Sequence, residues 1–245
     1  MTVWIQTITT SGQRCWRRLL GITESFYYWD GLCDGATDTV MHTHLRVTRP
    51  NDVDIYSPEN VRHAWLSIKQ RFPLIVAEVH EESNGLHFIV HERNVTSLRE
   101  EDVTFDTVSS FRDVERLVND NKDSPQPLSS KVLARVYVLR RTDRTDEFHV
   151  VLTVAHCITD APSTSTILRS FFQTLATSFD PFPASIEERL QAYCPMEIQV
   201  FPNGVPLVKR RWRKAMGYAF YIVRRARLTV WGGLFYINKG INAYT

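Results

Sequence analysis

The sequence predicts an α/β fold, and two observations carry that expectation. Apolar runs rich in β-branched residues alternate along the chain with segments whose apolar residues recur at helical spacing. The plainest unit is the run Phe148 to Ala155, a buried-strand pattern, followed at Pro162 by a helix that continues to Ala176. Between them lies His156-Cys157-Ile158-Thr159-Asp160, a His-x-x-x-Asp spacing at the point where the strand leaves the core.

Met1 to Gln13 is mixed and polar, without the basic-then-apolar order of a signal peptide. Thr39 to Val47 reads as a strand with Val40, His42, His44 and Arg46 on one side. Its two histidines would need a third ligand to hold a metal, and the sequence suggests none, so no metal is expected. Ser57-Pro58-Glu59-Asn60 opens a helix whose stripe is Val61, Ala64, Trp65 and Ile68, and Pro73 ends it. Leu74 to Val79 then returns as a strand, and Gly85 turns it into Leu86 to Val90, making a hairpin.

Asp102 to Phe105 has the pattern of a short edge strand and Ser110 to Val118 that of a short helix. Asp120 to Pro127 is loop by composition. Lys131 to Arg140 and Glu147 to Ala155 are two strands close in sequence, and the polar link Arg141 to Asp146 favours an antiparallel pair. The helix that follows presents Ile167, Leu168, Phe171, Phe172 and Leu175 on one face. Pro181 and Pro183 precede a short helix around Ser185 to Tyr193. Lys209 to Leu228 has helical potential, with Trp212, Met216, Ala219, Phe220 and Val223 as its apolar side.

At 245 residues the chain can bury a good core in one domain, or in one domain plus a tail. Its four cysteines, Cys15, Cys33, Cys157 and Cys194, are scattered without a C-x-x-C pair. Neither a zinc site nor a disulfide framework is signalled, and a reducing, cytoplasmic setting is expected. The most apolar stretch, Met216 to Ile237, is interrupted by Arg224, Arg225 and Arg227, which argues against a spanning helix. The net charge of +2 hides a split. Pro206 to Thr245 carries nine Lys/Arg and no Asp/Glu, leaving 29 − 9 = 20 basic against 27 acidic residues before it, a net of −7.

A histidine where a strand leaves the core suits general-base work, since it sits on a rigid element and its unperturbed pKa lies near neutrality. Asp160 can orient the turn or hold a counter-charge. Cys157 has no basic neighbour in the sequence to activate its thiol.

Strand, His-x-x-x-Asp and helix together resemble the chloramphenicol-acetyltransferase-like superfamily of coenzyme-A-dependent acyltransferases, which includes hydroxyl acyltransferases and peptide-synthetase condensation domains. Arg17 to Trp29 is similar to the opening segment of fungal members, and Glu59 to Val79 to their first helix and following strand. The resemblance covers about residues 17 to 180. It implies a two-layer α/β sandwich of mixed sheet and helices. Residues 1–200 would form the first domain of a two-domain enzyme, and residues 201–245 a basic crossover toward a second domain that this chain lacks.

The resemblance also implies a chemistry. His156 takes the proton from an acceptor hydroxyl or amine as it attacks the thioester of an acyl-coenzyme A. Asp160 supports the turn and pairs with an arginine, with Arg135, Arg140 and Arg169 as candidates. No cofactor is bound; acyl-CoA is a co-substrate and the acceptor a small hydroxyl-bearing, specialised metabolite. Three departures bear on this: Ala161 stands where a glycine is common, Ala155 where condensation domains carry a second histidine, and the Asp-Phe-Gly-Trp-Gly element of many plant members is absent.

Several readings therefore stay open. The chain is a truncated half that is active or inactive, its missing wall supplied by a homo-oligomer or by a separate second half. Alternatively it is a non-catalytic interaction module on the same fold. The basic segment Lys209 to Arg227 offers contact with an anionic membrane surface. Nucleic acid is not an expected partner, because the rest of the chain is acidic and carries no recognition motif.

Overall fold

The β-branched run before His156 is the centre of the architecture. In the computed structural model it forms strand β8, Glu147–Val154, with all eight residues buried. The structure describes residues 3–34, 38–47, 55–123, 128–177 and 184–195, together with 211, 212 and 215. Residues 1–195 make up one compact unit.

A strand buried on both faces needs a neighbour on each edge and a helix on each side. On one edge β8 pairs antiparallel with β7, Ala134–Arg141, across the polar turn; on the other it pairs antiparallel with β3, Thr39–Arg46. Strand β6, Val103–Val108, runs parallel to β7 and completes the mixed sheet β3-β8-β7-β6. A second sheet is wholly antiparallel, in the order β1 (Ile5–Ile8), β2 (Arg14–Leu19), β5 (Gly85–His91), β4 (Glu78–Glu82).

Helix α2, Pro58–Arg71, starts as its sequence dictates. Ser57 Oγ accepts from the Asn60 amide at 3.3 Å, and Pro58 occupies the first turn, where a missing N–H costs nothing. It buries Val61, Ala64, Trp65 and Ile68 against α5, Ala161–Ala176, whose Ile167, Leu168, Phe171 and Leu175 face the same core. Trp65 and Phe171 meet edge to face at 6.1 Å between ring centroids, and truncating either to alanine costs about 3–5 kcal/mol. The opposite face of the mixed sheet is covered by α4, Phe111–Asp123, whose Val114 and Val118 pack on Val108, Leu139 and Val151.

Helix α1, Ile22–Asp34, is tied to the antiparallel sheet by a buried ion pair. Arg18 donates to both carboxylate oxygens of Glu24 at 2.9 and 2.8 Å, and its guanidinium lies 5.2 Å from the ring centroids of both Trp4 and Phe88. Two further short helices are α3 (Glu92–Thr96) and α6 (Ile186–Gln191).

Several elements differ from the sequence expectation: no local pattern assigns β2, α1 or α3, and β6 extends past Phe105 to Val108. Leu74 to Val76 belong to a 3₁₀ turn, Pro73–Val76, and β4 starts only at Glu78. The turn buries Leu74, Ile75 and Val76 consecutively, which the alternation of a half-exposed strand cannot do. Helix α4 continues through Asp123, because nothing before Pro125 stops it. Strand β1 has no buried face and so leaves no alternation to read; it is returned to β2 by a turn in which Gly12 adopts φ 78°. The helix expected over Lys209 to Leu228 lies outside the described residues except for Arg211, Trp212 and Ala215, which are helical. Among the described residues, no helix is long and apolar enough to cross a membrane.

Candidate functional site

The turn between β8 and α5 is set by its own short-range hydrogen bonds. Asp160 is the N-cap of α5: its Oδ1 accepts from the Ser163 amide at 2.8 Å, while Pro162 fits the first turn. Hydrogen bonds from Ser163 hold the Asp160 carboxyl below its ordinary range, with His156 a smaller contributor. The Asp160 carboxylate is therefore satisfied by a helix N-terminus, and among the described residues no arginine forms an ion pair with it. Arg140 instead lies 5.8 Å over the Phe148 ring, Arg169 lines a surface groove, and the Nε of Arg135 is buried without a partner. Capping is the stronger local demand, because the first amides of α5 have no other acceptor.

His156 is half-buried, and its Nδ1 lies 2.6 Å from the carbonyl oxygen of Thr159. A carbonyl only accepts, so Nδ1 carries the proton and Nε2 of the neutral ring carries the lone pair. Thr159 is itself fixed, with its hydroxyl 3.2 Å from that of buried Thr164, which in turn donates to the Asp160 carbonyl at 2.9 Å. Cys157 is buried, and burial pushes its thiol well above the ordinary range, with Asp38 and Glu24 adding to the effect. That environment suits an inert packing residue rather than a nucleophile.

Two residues join this turn from α1 and from the start of β3, and local sequence patterns did not single them out. The Tyr27 ring centroid lies 4.0 Å from that of His156, with the planes at 48°. Asp38 lies close enough to Cys157 to raise its thiol, and burial pushes the Asp38 carboxyl up to about 6. Tyr27 stands within the aromatic cluster Phe26 to Trp29, the one signal that could have drawn attention to it. A groove of about 490 Å³ opens between β3 and α5, lined by Met41, Ser165, Leu168, Arg169, Phe172 and Gln173 among others.

On the mixed sheet, the histidine pair of β3 finds the third and fourth groups that the sequence did not suggest. His149 and Glu147 of β8 stand beside His42 and His44.

No protein-family model matches the sequence, and no curated protein sequence does. Solved structures do match. The TRI3 trichothecene 15-O-acetyltransferase from Fusarium sporotrichioides superposes with a TM-score of 0.55 at 12% identity, over 83% of this chain and 45% of that one. The tallysomycin biosynthesis protein TlmII gives 0.53 at 13% identity, over 79% of this chain and 43% of that one. The condensation domain of the Monacolin K polyketide synthase MokA gives 0.52 at 13% identity, over 66% and 35%. This chain thus spans less than half the length of each of these structures. Its described residues have the fold of the chloramphenicol-acetyltransferase-like acyltransferases and condensation domains.

Proposed function

We propose that this chain carries the histidine-bearing half of an acyltransferase that moves an acyl group from coenzyme A to the hydroxyl of a small, specialised metabolite. One observation supports this reading above the others. The 2.6 Å contact from His156 Nδ1 to the Thr159 carbonyl leaves the Nε2 lone pair for a substrate proton. In the step proposed, the acceptor oxygen attacks the thioester carbonyl carbon while its proton passes to Nε2. The tetrahedral intermediate then collapses, the C–S bond breaks, and the proton is returned to the coenzyme A sulfur. No covalent enzyme intermediate forms.

Asp160 acts on this step through the backbone. By capping α5 it holds the turn that presents the Thr159 carbonyl to the imidazole. Tyr27 walls one side of the ring. The groove beside α5 supports a neighbouring binding surface, with Arg169 as its cation and Leu168 and Phe172 as its apolar floor. The second wall of such a site comes from outside the described residues, as further chain, a second copy or a separate polypeptide. The free thiols of Cys15 and Cys157 suit a reducing compartment.

The same groove favours one second reading, a non-catalytic module that binds a partner through Met41, Leu168 and Phe172. Thiol release from acetyl-coenzyme A in the presence of small alcohols separates the two, with light scattering over a concentration series reporting self-assembly. On the acyltransferase reading, His156→Ala abolishes release while the variant keeps its fold. Release that is undiminished in His156→Ala, or absent from every assembly state of the parent chain, removes this reading.

A further inference from the structure

Strands β3 and β8 pair with His44 directly opposite His149, and their rings stack at 4.6 Å between centroids with the planes 9° apart. His42, two residues earlier on the same face of β3, puts its Nε2 3.0 Å from His149 Nδ1. Glu147, two residues before His149 on β8, puts Oε2 3.1 Å from His44 Nε2. One ligand atom each from His44, Glu147 and His149 lies within 4.8 Å of the other two. Two imidazoles and a carboxylate form a donor set that suits zinc, nickel or copper rather than calcium or magnesium.

Burial adds a second, independent observation. His149 is fully buried, yet its Nε2 has no hydrogen-bond partner. A buried polar nitrogen left unmatched is costly and calls for a cause. When His149 donates its Nδ1 proton to His42, Nε2 carries an unshared pair in the ring plane, as a metal-ligating imidazole requires. His44 has 43% of its side chain exposed, which gives an ion a route from solvent.

The charges nearby decide whether a dication can stay. Arg144 donates to Glu147 Oε1 at 2.9 Å and Arg141 to Oε2 at 2.6 Å. Arg141 is also held by both oxygens of Asp143, at 2.8 and 2.6 Å. Two cations thus face two carboxylates, so the local field is close to neutral before an ion arrives, and the arginines orient the carboxylate as outer-shell donors. Glu115 adds a further negative charge beside His42.

We propose that His44, Glu147 and His149 form a binding site for a divalent transition-metal ion, with zinc as the reference case. The proposal does not rest on the acyltransferase reading. Ligands about 2.0–2.2 Å from a shared ion lie roughly 3.4 Å apart, so the donors must close up and the stacked rings must rotate. Half-exposed His44 is the side chain free to do so. The fourth position goes to water or to His42. The ion would cross-link β3 to β8, the strand that leads into His156.

The test uses the full chain, stripped with a chelator and titrated with zinc by calorimetry and with cobalt(II) by visible absorption. One ion should bind per chain, with the intense bands of four-coordinate cobalt and a zinc-dependent rise in melting temperature. His44→Gln should weaken zinc binding by roughly tenfold or more. This half-exposed position is the deciding one, with circular dichroism confirming the fold, because His149→Asn risks the core. His80→Gln alters another histidine–carboxylate group, in which His80 Nε2 lies 3.1 Å and His91 Nε2 3.9 Å from Glu78. That variant should bind within about twofold of the parent. The proposal is overturned if the parent shows no saturable one-to-one binding, or if His44→Gln binds as tightly as the parent.

Discussion

The Tyr27 ring packs against the His156 ring at 4.0 Å between centroids, joining α1 to the turn that ends β8. Glu24, one helical turn before Tyr27, is clamped by buried Arg18, so the tyrosine is held from the antiparallel sheet while the histidine is held from the mixed one. The candidate base is thereby positioned by both sheets of residues 1–195.

This contact makes a graded prediction for acyl transfer. Tyr27→Ala removes the wall beside the imidazole and should lower kcat/KM by about tenfold, equivalent to about 1.4 kcal/mol. Tyr27→Phe keeps the ring and should stay within about threefold. Steady-state kinetics on both variants checks the ordering; equal losses would mean that the hydroxyl, not the ring, matters.

Asp160 is predicted to act as a cap rather than as a charge. Asp160→Ala should cost about 1 kcal/mol of stability, and Asp160→Asn or Asp160→Ser much less, since each still accepts from the Ser163 amide. Urea unfolding of the three variants measures this. A full loss in Asp160→Asn would instead point to the charge.

A buried ion pair should be the costliest polar feature to break. Lys69 is fully buried, bonds Asp102 and also donates to the Ser97 carbonyl at 2.6 Å. Burial lowers the Lys69 pKa, with Asp102 opposing that effect. Asp102→Ala strands the ammonium and should destabilise by about 3–5 kcal/mol. Lys69→Met should cost less, because Asp102 keeps the Arg99 guanidinium at 3.0 Å and the Arg99 amide at 2.9 Å. Denaturant midpoints at neutral pH would show this order.

Asp38 should give the protein a stability that declines as pH rises. Its carboxyl is pushed by burial from an ordinary 3.8 up to about 6. Between those values the folded chain binds more protons than the unfolded one, so stability falls with rising pH across that window and levels off above it. Asp38→Asn should remove this decline and, above about pH 6, stabilise by roughly 1–2 kcal/mol after solvent screening. Melting temperatures of parent and variant from pH 4 to 7.5 test the sign.

Strong local patterns were legible in the sequence itself. The β-branched run of β8, the helical stripes of α2 and α5, and the short polar link between β7 and β8 each specify their element through a periodicity that holds within a few residues. The His156 to Asp160 turn belongs with them, since its cap and its imidazole contact both span only three residues. Burial of the chain on itself decided the rest. Strand β1 forms because β2 offers it an edge, and Leu74 to Val76 coil into a 3₁₀ turn because all three must reach the core. His42 meets His149 across 107 residues of chain because the β3–β8 register sets His44 opposite His149 and His42 diagonal to it on the same face. A register one residue different would send these side chains to the opposite face of the sheet, and no local pattern fixes such long-range alignment.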